Sequence, residues 1–305
     1  MKAVGLLFWV LMMAVSSGCA TIAGGDNTCD RSCLVEMTQA YLKAVGDRAP
    51  DSANLAADAR ITENGKAVTR ASSVLSSARP FRYQQVFADA QSGQTSAFGS
   101  YEDDTGPVLY AVRLKMVKQQ IVEVEAMVNR KGAHPFFAPQ ALTGSRAIFD
   151  AVVPVERRLS RERLQAVANS YLDAIEQHSS DVAPFHADCM RIENGIRTTD
   201  NPQANLPRSC KSGMQMFTYI PVVRDRSYPV VDAERGVVFA WGVFDMPGKA
   251  TSAVVDGKTI ELPARVREPK SMALAEVFKV VDGQIHTIEA FIRYEPLGLQ
   301  RGWPH

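Results

Sequence analysis

Tyr41-Leu42-Lys43-Ala44-Val45 recurs 130 residues later as Tyr171-Leu172-Asp173-Ala174-Ile175, and Glu63-Asn64-Gly65 recurs at the same offset as Glu193-Asn194-Gly195. Further along, Asp89, Gly93, Ala97 and Gly99 match Asp232, Gly236, Ala240 and Gly242 at an offset of 143. Ile121-Val122-Glu123-Val124-Glu125-Ala126 then matches Ile285-His286-Thr287-Ile288-Glu289-Ala290 at an offset of 164. The matches keep their order, so the chain reads as a duplicated unit. The offset grows because the second copy carries two insertions, Thr198 to Lys211 and Lys249 to about Lys270. With 305 residues and about 150 per domain, each copy is long enough to bury its own core.

Each copy opens with an amphipathic helix. Leu34, Met37, Tyr41, Leu42 and Val45 share one face, as do Leu164, Val167, Tyr171, Leu172 and Ile175. A strand then ends at Glu-Asn-Gly, whose Asn-Gly suits a tight hairpin turn. In the second copy a hairpin follows over Tyr228–Val231 and Val237–Phe244, and the last strands are Leu274–Val281 and Gln284–Arg293, turned at Asp282-Gly283. Helices first and an antiparallel meander after describe an α+β fold. The expected organisation is a first domain at 29–130, a Pro-containing linker at 131–157 and a second domain at 158–298.

The N-terminus carries an address. Lys2, an apolar run from Val4 to Val15 and the small residues Ser16-Ser17-Gly18-Cys19 read as a signal peptide over 1–19. The run is too short to span a bilayer as a helix. Ser-Ser-Gly-Cys also resembles a bacterial lipobox, which makes Cys19 the lipidated residue, although Ser16 stands where Leu is usual. The expectation is an exported protein, periplasmic or an outer-membrane lipoprotein, touching membrane only through that anchor; ordinary cleavage near Ala20 or Ala23 is the alternative. The remaining Cys29, Cys33, Cys189 and Cys210 suit two disulfides in an oxidising compartment, Cys29–Cys33 and Cys189–Cys210. His134, His178, His186 and His305 lack metal-ligand spacing, so no metal site is expected. Lys+Arg 34 against Asp+Glu 33 gives a net charge of +1 and no basic stripe, which argues against a nucleic-acid partner. No phosphate-binding glycine loop, zincin motif or nucleophile elbow is present.

The helix with Tyr-Leu-x-Ala-Val/Ile, the acid-bearing strand end and the antiparallel strands after it resemble the cone-shaped nuclear-transport-factor-2-like superfamily. That superfamily includes steroid ketoisomerase and the polyketide cyclases related to SnoaL. Cys189-Met190-Arg191-Ile192-Glu193-Asn194-Gly195 and Arg224-Asp225-Arg226-Ser227-Tyr228-Pro229-Val230-Val231-Asp232 look like a secreted fungal and bacterial domain family of unassigned function. The resemblance implies two cone-shaped domains in tandem, each with N-terminal helices packed on a curved antiparallel sheet.

It also implies chemistry. In the ketoisomerases a first-helix Tyr and a protonated carboxyl form an oxyanion hole, and a strand-end carboxylate moves the proton. Tyr171 matches the Tyr, Glu193 the carboxylate with a two-residue gap, and Glu276 the second acid. Copy one keeps Tyr41 and Glu63 but has Val112 in place of Glu276, so the second copy is the catalytic candidate. The activity implied is a cofactor-free isomerase, dehydratase or other lyase acting on a small hydrophobic molecule.

The residues alone leave other readings open. Glu193-Asn194-Gly195 is equally a structural corner, Tyr171 a core tyrosine, and Glu276 an outward residue of its strand. His286, which replaces Val122, is an acid or base if it faces the cone, and packing if it shares the outer face with Ile288. Asn194, Arg224, Arg226 and Asp245 are candidate substrate contacts, whereas Arg224-Asp225-Arg226 also reads as a self-paired strand edge and Asp245 as part of a turn. Without turnover, the chain is a ligand-binding or protein-interaction module of the cell envelope. Val237, Phe239 and Trp241 form an apolar strand face that a helix, the other cone or a homodimer partner must cover.

Overall fold

A computed structural model describes residues 29–73, 79–201, 209–255 and 257–303. The signal-peptide and Cys19 expectations lie outside these residues. The first half contains α1 (Arg31–Gly46), β1 (Leu55–Glu63), β2 (Lys66–Ala67), β3 (Tyr83–Asp89), β4 (Gln94–Asp103), β5 (Gly106–Val117) and β6 (Gln120–Arg130). A short α2 (Ala147–Asp150) precedes the second half. That half runs α3 (Arg161–Glu176), β7 (Phe185–Glu193), β8 (Ile196–Arg197), β9 (Val222–Asp232), β10 (Val237–Met246), β11 (Ser252–Val255), β12 (Lys258–Glu261), β13 (Lys270–Val281) and β14 (Gln284–Glu295). The protein is α+β, built on two six-stranded sheets of the same strand order, β2-β1-β6-β5-β4-β3 and β8-β7-β14-β13-β10-β9.

The repeat is visible in the sheet register. Across the first sheet Ala97 pairs with Val112, Val112 with Ala126, and Ala126 with Glu63. Across the second, Ala240 pairs with Glu276, Glu276 with Ala290, and Ala290 with Glu193. Each Glu-Asn-Gly turn has consecutive positive φ angles, 49° and 76° at Asn64-Gly65 and 49° and 85° at Asn194-Gly195, as a two-residue hairpin requires. Asp30 and Ser160 cap α1 and α3 by accepting from Cys33 N and Arg163 N. The periodic apolar residues of each helix then seal one face of its sheet.

One expectation needs correction. The sheets are mixed rather than wholly antiparallel, because β1 and β7 run parallel to β6 and β14. In each half the first long strand lies beside the last, and the chain between them, with its three other long strands, forms the crossover that a parallel pair needs. The segment 131–157 that joins the halves is packed: Phe149 is 1% exposed and His134 6%.

The opposite faces of the two sheets meet in a shared apolar layer. Phe98 stacks on Phe291 with ring centroids 4.7 Å apart and on Phe239 at 6.1 Å, while Trp241, Phe87 and Phe149 fill the surroundings. The Val237–Phe239–Trp241 face is thus covered within the same chain. The margins are reciprocal. Arg161 at the start of α3 pairs with Asp89 at 2.7 Å, and its repeat counterpart Arg31 pairs with Asp232, the counterpart of Asp89, at 3.2 Å. The equivalent glutamates Glu125 and Glu289 are both buried, one held by Arg301 of the C-terminal segment and the other by Arg146. Both disulfides are present, Cys29–Cys33 and Cys189–Cys210. Among the described residues no helix is long and apolar enough to cross a membrane.

Candidate functional site

The second half encloses a cavity of about 110 Å³ between α3, the sheet and the two insertions. Its walls are mostly apolar, with Ile175 from the helix and Phe244, Met272 and Leu274 from the sheet. Its roof is made by the helical turn Met214–Tyr219, which follows the first insertion, and by the second insertion. The turn supplies Met216, Phe217 and Tyr219, with Ile220 just beyond it; the second insertion supplies Leu262 and Val266. The two hold each other: Thr218 donates to the Ser252 carbonyl at 3.3 Å, and Tyr219 packs on Ala253, Leu262 and Val266. The Cys189–Cys210 bridge ties this lid to β7, two residues before Arg191. His134 and Phe136 close one wall from the segment between the halves.

Four polar side chains meet in this apolar setting: Tyr171, Arg191, Glu193 and Glu276. Arg191 and Glu193 are two apart on β7 and so point to the same face. The Arg191 guanidinium lies 3.3 Å from Glu193, donates to Thr198 Oγ1 at 3.1 Å and lies over the Phe217 ring at 5.2 Å. The Tyr171 hydroxyl is within reach of both Arg191 and Glu276. At this cavity two buried polar atoms, Arg191 Nη1 and Glu276 Oε2, have no partner among the described residues. Buried polar groups left open side by side at one cavity mark a place for a ligand or water.

The electrostatics separate the two carboxyls. Burial, reinforced by the charge of Glu193, pushes Glu276 up to about 8, so it is neutral at pH 7. Burial also raises Glu193, but Arg191 and Thr198 oppose that rise. Burial works against the charge of Arg191, and Glu193, Tyr171 and Glu276 more than offset it. Burial and then Glu276 hold Tyr171 protonated. The set therefore joins two neutral acids, Tyr171 and Glu276, to the Arg191–Glu193 ion pair, the kind of grouping that acid/base sites use.

The first half lacks this arrangement. Ile61 and Val112 occupy the positions of Arg191 and Glu276, and both belong to its buried core. Tyr101 and Tyr110, at the positions of Phe244 and Leu274, pack with Phe81 at centroid distances of 5.3 and 4.8 Å and with each other at 6.0 Å. Tyr41 remains, raised by burial and by Glu63, and Glu63 accepts from Ser73 Oγ at 3.0 Å.

Of the sequence candidates, Tyr171, Glu193 and Glu276 line the cavity and the others do not. His286 is the extra residue of a β-bulge: Lys279 pairs with Thr287 and Val280 with Ile285, leaving His286 between them. It stacks on His186 at 4.0 Å, away from the cavity. Val122 is skipped in the same way in the first half. Asn194 is fully buried and spends its amide on the Phe136 and Ile292 carbonyls and the Ile292 N–H, so it is a corner residue. Arg224 makes two bonds to Asp245, at 2.6 and 3.0 Å, and a third to Asp225. Arg226 is held by Asp173, Glu176 and Asn169. These charges are consumed by one another.

Arg191, His134 and the lid residues were not singled out by the sequence. A signal for Arg191 existed: an arginine replaces an isoleucine at an inward strand position of the repeat. Nothing comparable pointed to His134. Among the described residues no group of three or more His, Cys, Asp or Glu side chains is placed to hold a metal ion.

Residues 157–292 match a domain of unknown function, DUF8021. The match spans under half of the chain and contains Tyr171, Arg191, Glu193 and Glu276. No curated protein matches the chain. Among solved structures it is similar to AclR, "a putative hydroxylase from Streptomyces galilaeus", with 15% identity, 48% of this chain and 89% of that chain covered, and a TM-score of 0.29.

Proposed function

We propose that each half is a cone of the nuclear-transport-factor-2-like kind and that the second binds a small, largely apolar carbonyl compound and moves a proton on it without a cofactor. The convergence of Tyr171, Glu193 and Glu276 on one apolar cavity, with Arg191 Nη1 and Glu276 Oε2 unpartnered, carries this reading. The substrate carbonyl oxygen would accept from the Tyr171 hydroxyl and the Glu276 carboxyl. Glu193 would take a proton from the adjacent carbon, leaving an enolate whose oxyanion those two donors stabilise. Return of the proton to another carbon completes an isomerisation; departure of a β-substituent completes an elimination. Arg191 pairs with Glu193 and opposes the rise that burial imposes on it. We further propose export, with lipidation at Cys19, for which the two disulfides are supporting signs.

The test is α-hydrogen exchange in D2O, followed by proton NMR over a panel of small cyclic and acyclic ketones. The purified protein should accelerate exchange for members that bind, and Glu193→Gln should reduce the rate by about 10²–10⁴-fold with folding intact. The Arg191–Glu193 ion pair favours a second reading, because a tethered carboxylate is a restrained base. Tight binding with no exchange for any ketone would select that reading, a ligand-binding module without turnover.

A further inference from the structure

The rim of the cavity carries a charge that the proton-transfer reading does not use. Arg265, on the short helical turn Ala264–Val266 of the second insertion, lines the cavity while remaining exposed to solvent. Among the described residues no carboxylate pairs with it; its neighbour is the Tyr294 hydroxyl. Tyr219 and His134 also feel its field. The His134 Nδ1 accepts from Phe136 N–H at 3.1 Å, so its proton sits on Nε2 and the ring is a neutral donor. Burial and the nearby Arg265 and Lys270 pull it down to about 4, consistent with that form. The rim thus presents a guanidinium with tyrosyl and imidazole donors, and no acid.

We infer that the ligand of this cavity is a small carboxylic acid with an apolar body, its carboxylate held by Arg265 at the rim and a second oxygen reaching Arg191 and Glu276 at the floor. This rests on the proposed site. Arg191 is already paired with Glu193, whereas Arg265 has no carboxylate partner among the described residues, so one negative charge on the ligand balances the set. A single guanidinium fits a planar carboxylate through two parallel hydrogen bonds, whereas a phosphate dianion would leave one charge unmatched. The space, about 110 Å³, does not exceed the ~150 Å³ engineered cavity that takes a benzene ring, so the body is at most about one ring or a short branched chain.

Binding of levulinate, 4-oxocyclohexanecarboxylate and 4-acetylbenzoate to the full chain, each against its amide, tests this by calorimetry. At least one acid should bind about tenfold more tightly than its amide, with a preference that shrinks as salt rises. Arg265→Gln should bring the acid-to-amide ratio to about one, and Arg265→Lys should restore part of it, with melting temperatures unchanged. Equal binding of acids and amides, or a preference that survives Arg265→Gln, would overturn the inference while leaving the floor chemistry intact. Binding of none of the six compounds would count against both readings.

Discussion

Glu193 on β7 and Glu276 on β13 are cross-strand partners of the same residue, Ala290 of β14, approached from opposite sides. With strands about 4.8 Å apart, the small alanine leaves the two carboxyls nothing larger between them than a cavity. Arg191 belongs to Glu193, so the shared burial and repulsion fall on Glu276, which keeps its proton.

That asymmetry predicts how stability depends on pH. The folded value for Glu276, about 8, lies above its ordinary value of 4.5. The folded state therefore holds a proton the unfolded chain releases, and the contribution is complete below about pH 4.5 and lost as pH rises through 8. Unfolding free energies from urea titrations between pH 5 and 9 should fall for the wild type relative to Glu276→Gln, by a few kcal/mol at most. Parallel curves would contradict this.

Arg191 should be worth more to Glu193 than to the fold as such. Arg191→Met leaves a buried carboxylate unpaired and should cost about 3–5 kcal/mol. Adding Glu193→Gln should recover a large part of the loss, and a double-mutant cycle in chemical denaturation reads the coupling. Additive effects would mean the pair is not coupled.

The Cys189–Cys210 bridge closes a loop of 21 positions and anchors the lid. Its removal by Cys210→Ser should cost roughly 3 kcal/mol in the chain-entropy model and weaken ligand binding as well. Loss of Cys29–Cys33, separated by 4 positions, should matter far less. Intact-mass analysis that finds four free thiols in the purified protein would refute both bridges.

Phe98 ties the halves together through Phe239 and Phe291. Phe98→Ala should destabilise by about 3–5 kcal/mol and separate one calorimetric transition into two. A single transition at an unchanged temperature would show that the layer contributes little.

Much of this architecture was legible because the repeat carried it. Ala97, Ala126, Glu63 and their partners were aligned by spacing alone, and the structure puts each set in one cross-strand row. The parallel pairing of β1 with β6 was not legible, since strand periodicity reports faces and not neighbours. His286 misled because alternation assumes an unbroken ladder, and a bulge falls on that residue. Arg224, Arg226 and Asp245 misled for a different reason: a run of charges shows that partners are needed, not that the chain supplies them. The lid escaped because the apolar residues of the second insertion have no counterpart to compare, and those of the turn Met214–Tyr219 lie where the two copies share no matched residues.

The most direct test of the account is the titration of Glu276 itself, followed by carbon-13 NMR of labelled glutamate carboxyls and assigned by difference from Glu276→Gln. The account predicts a carboxyl that stays protonated through pH 7 and titrates near 8. A carboxyl titrating at the ordinary glutamate value near 4.5 would mean that no neutral acid stands beside Tyr171, and the proposed proton-transfer site would fall.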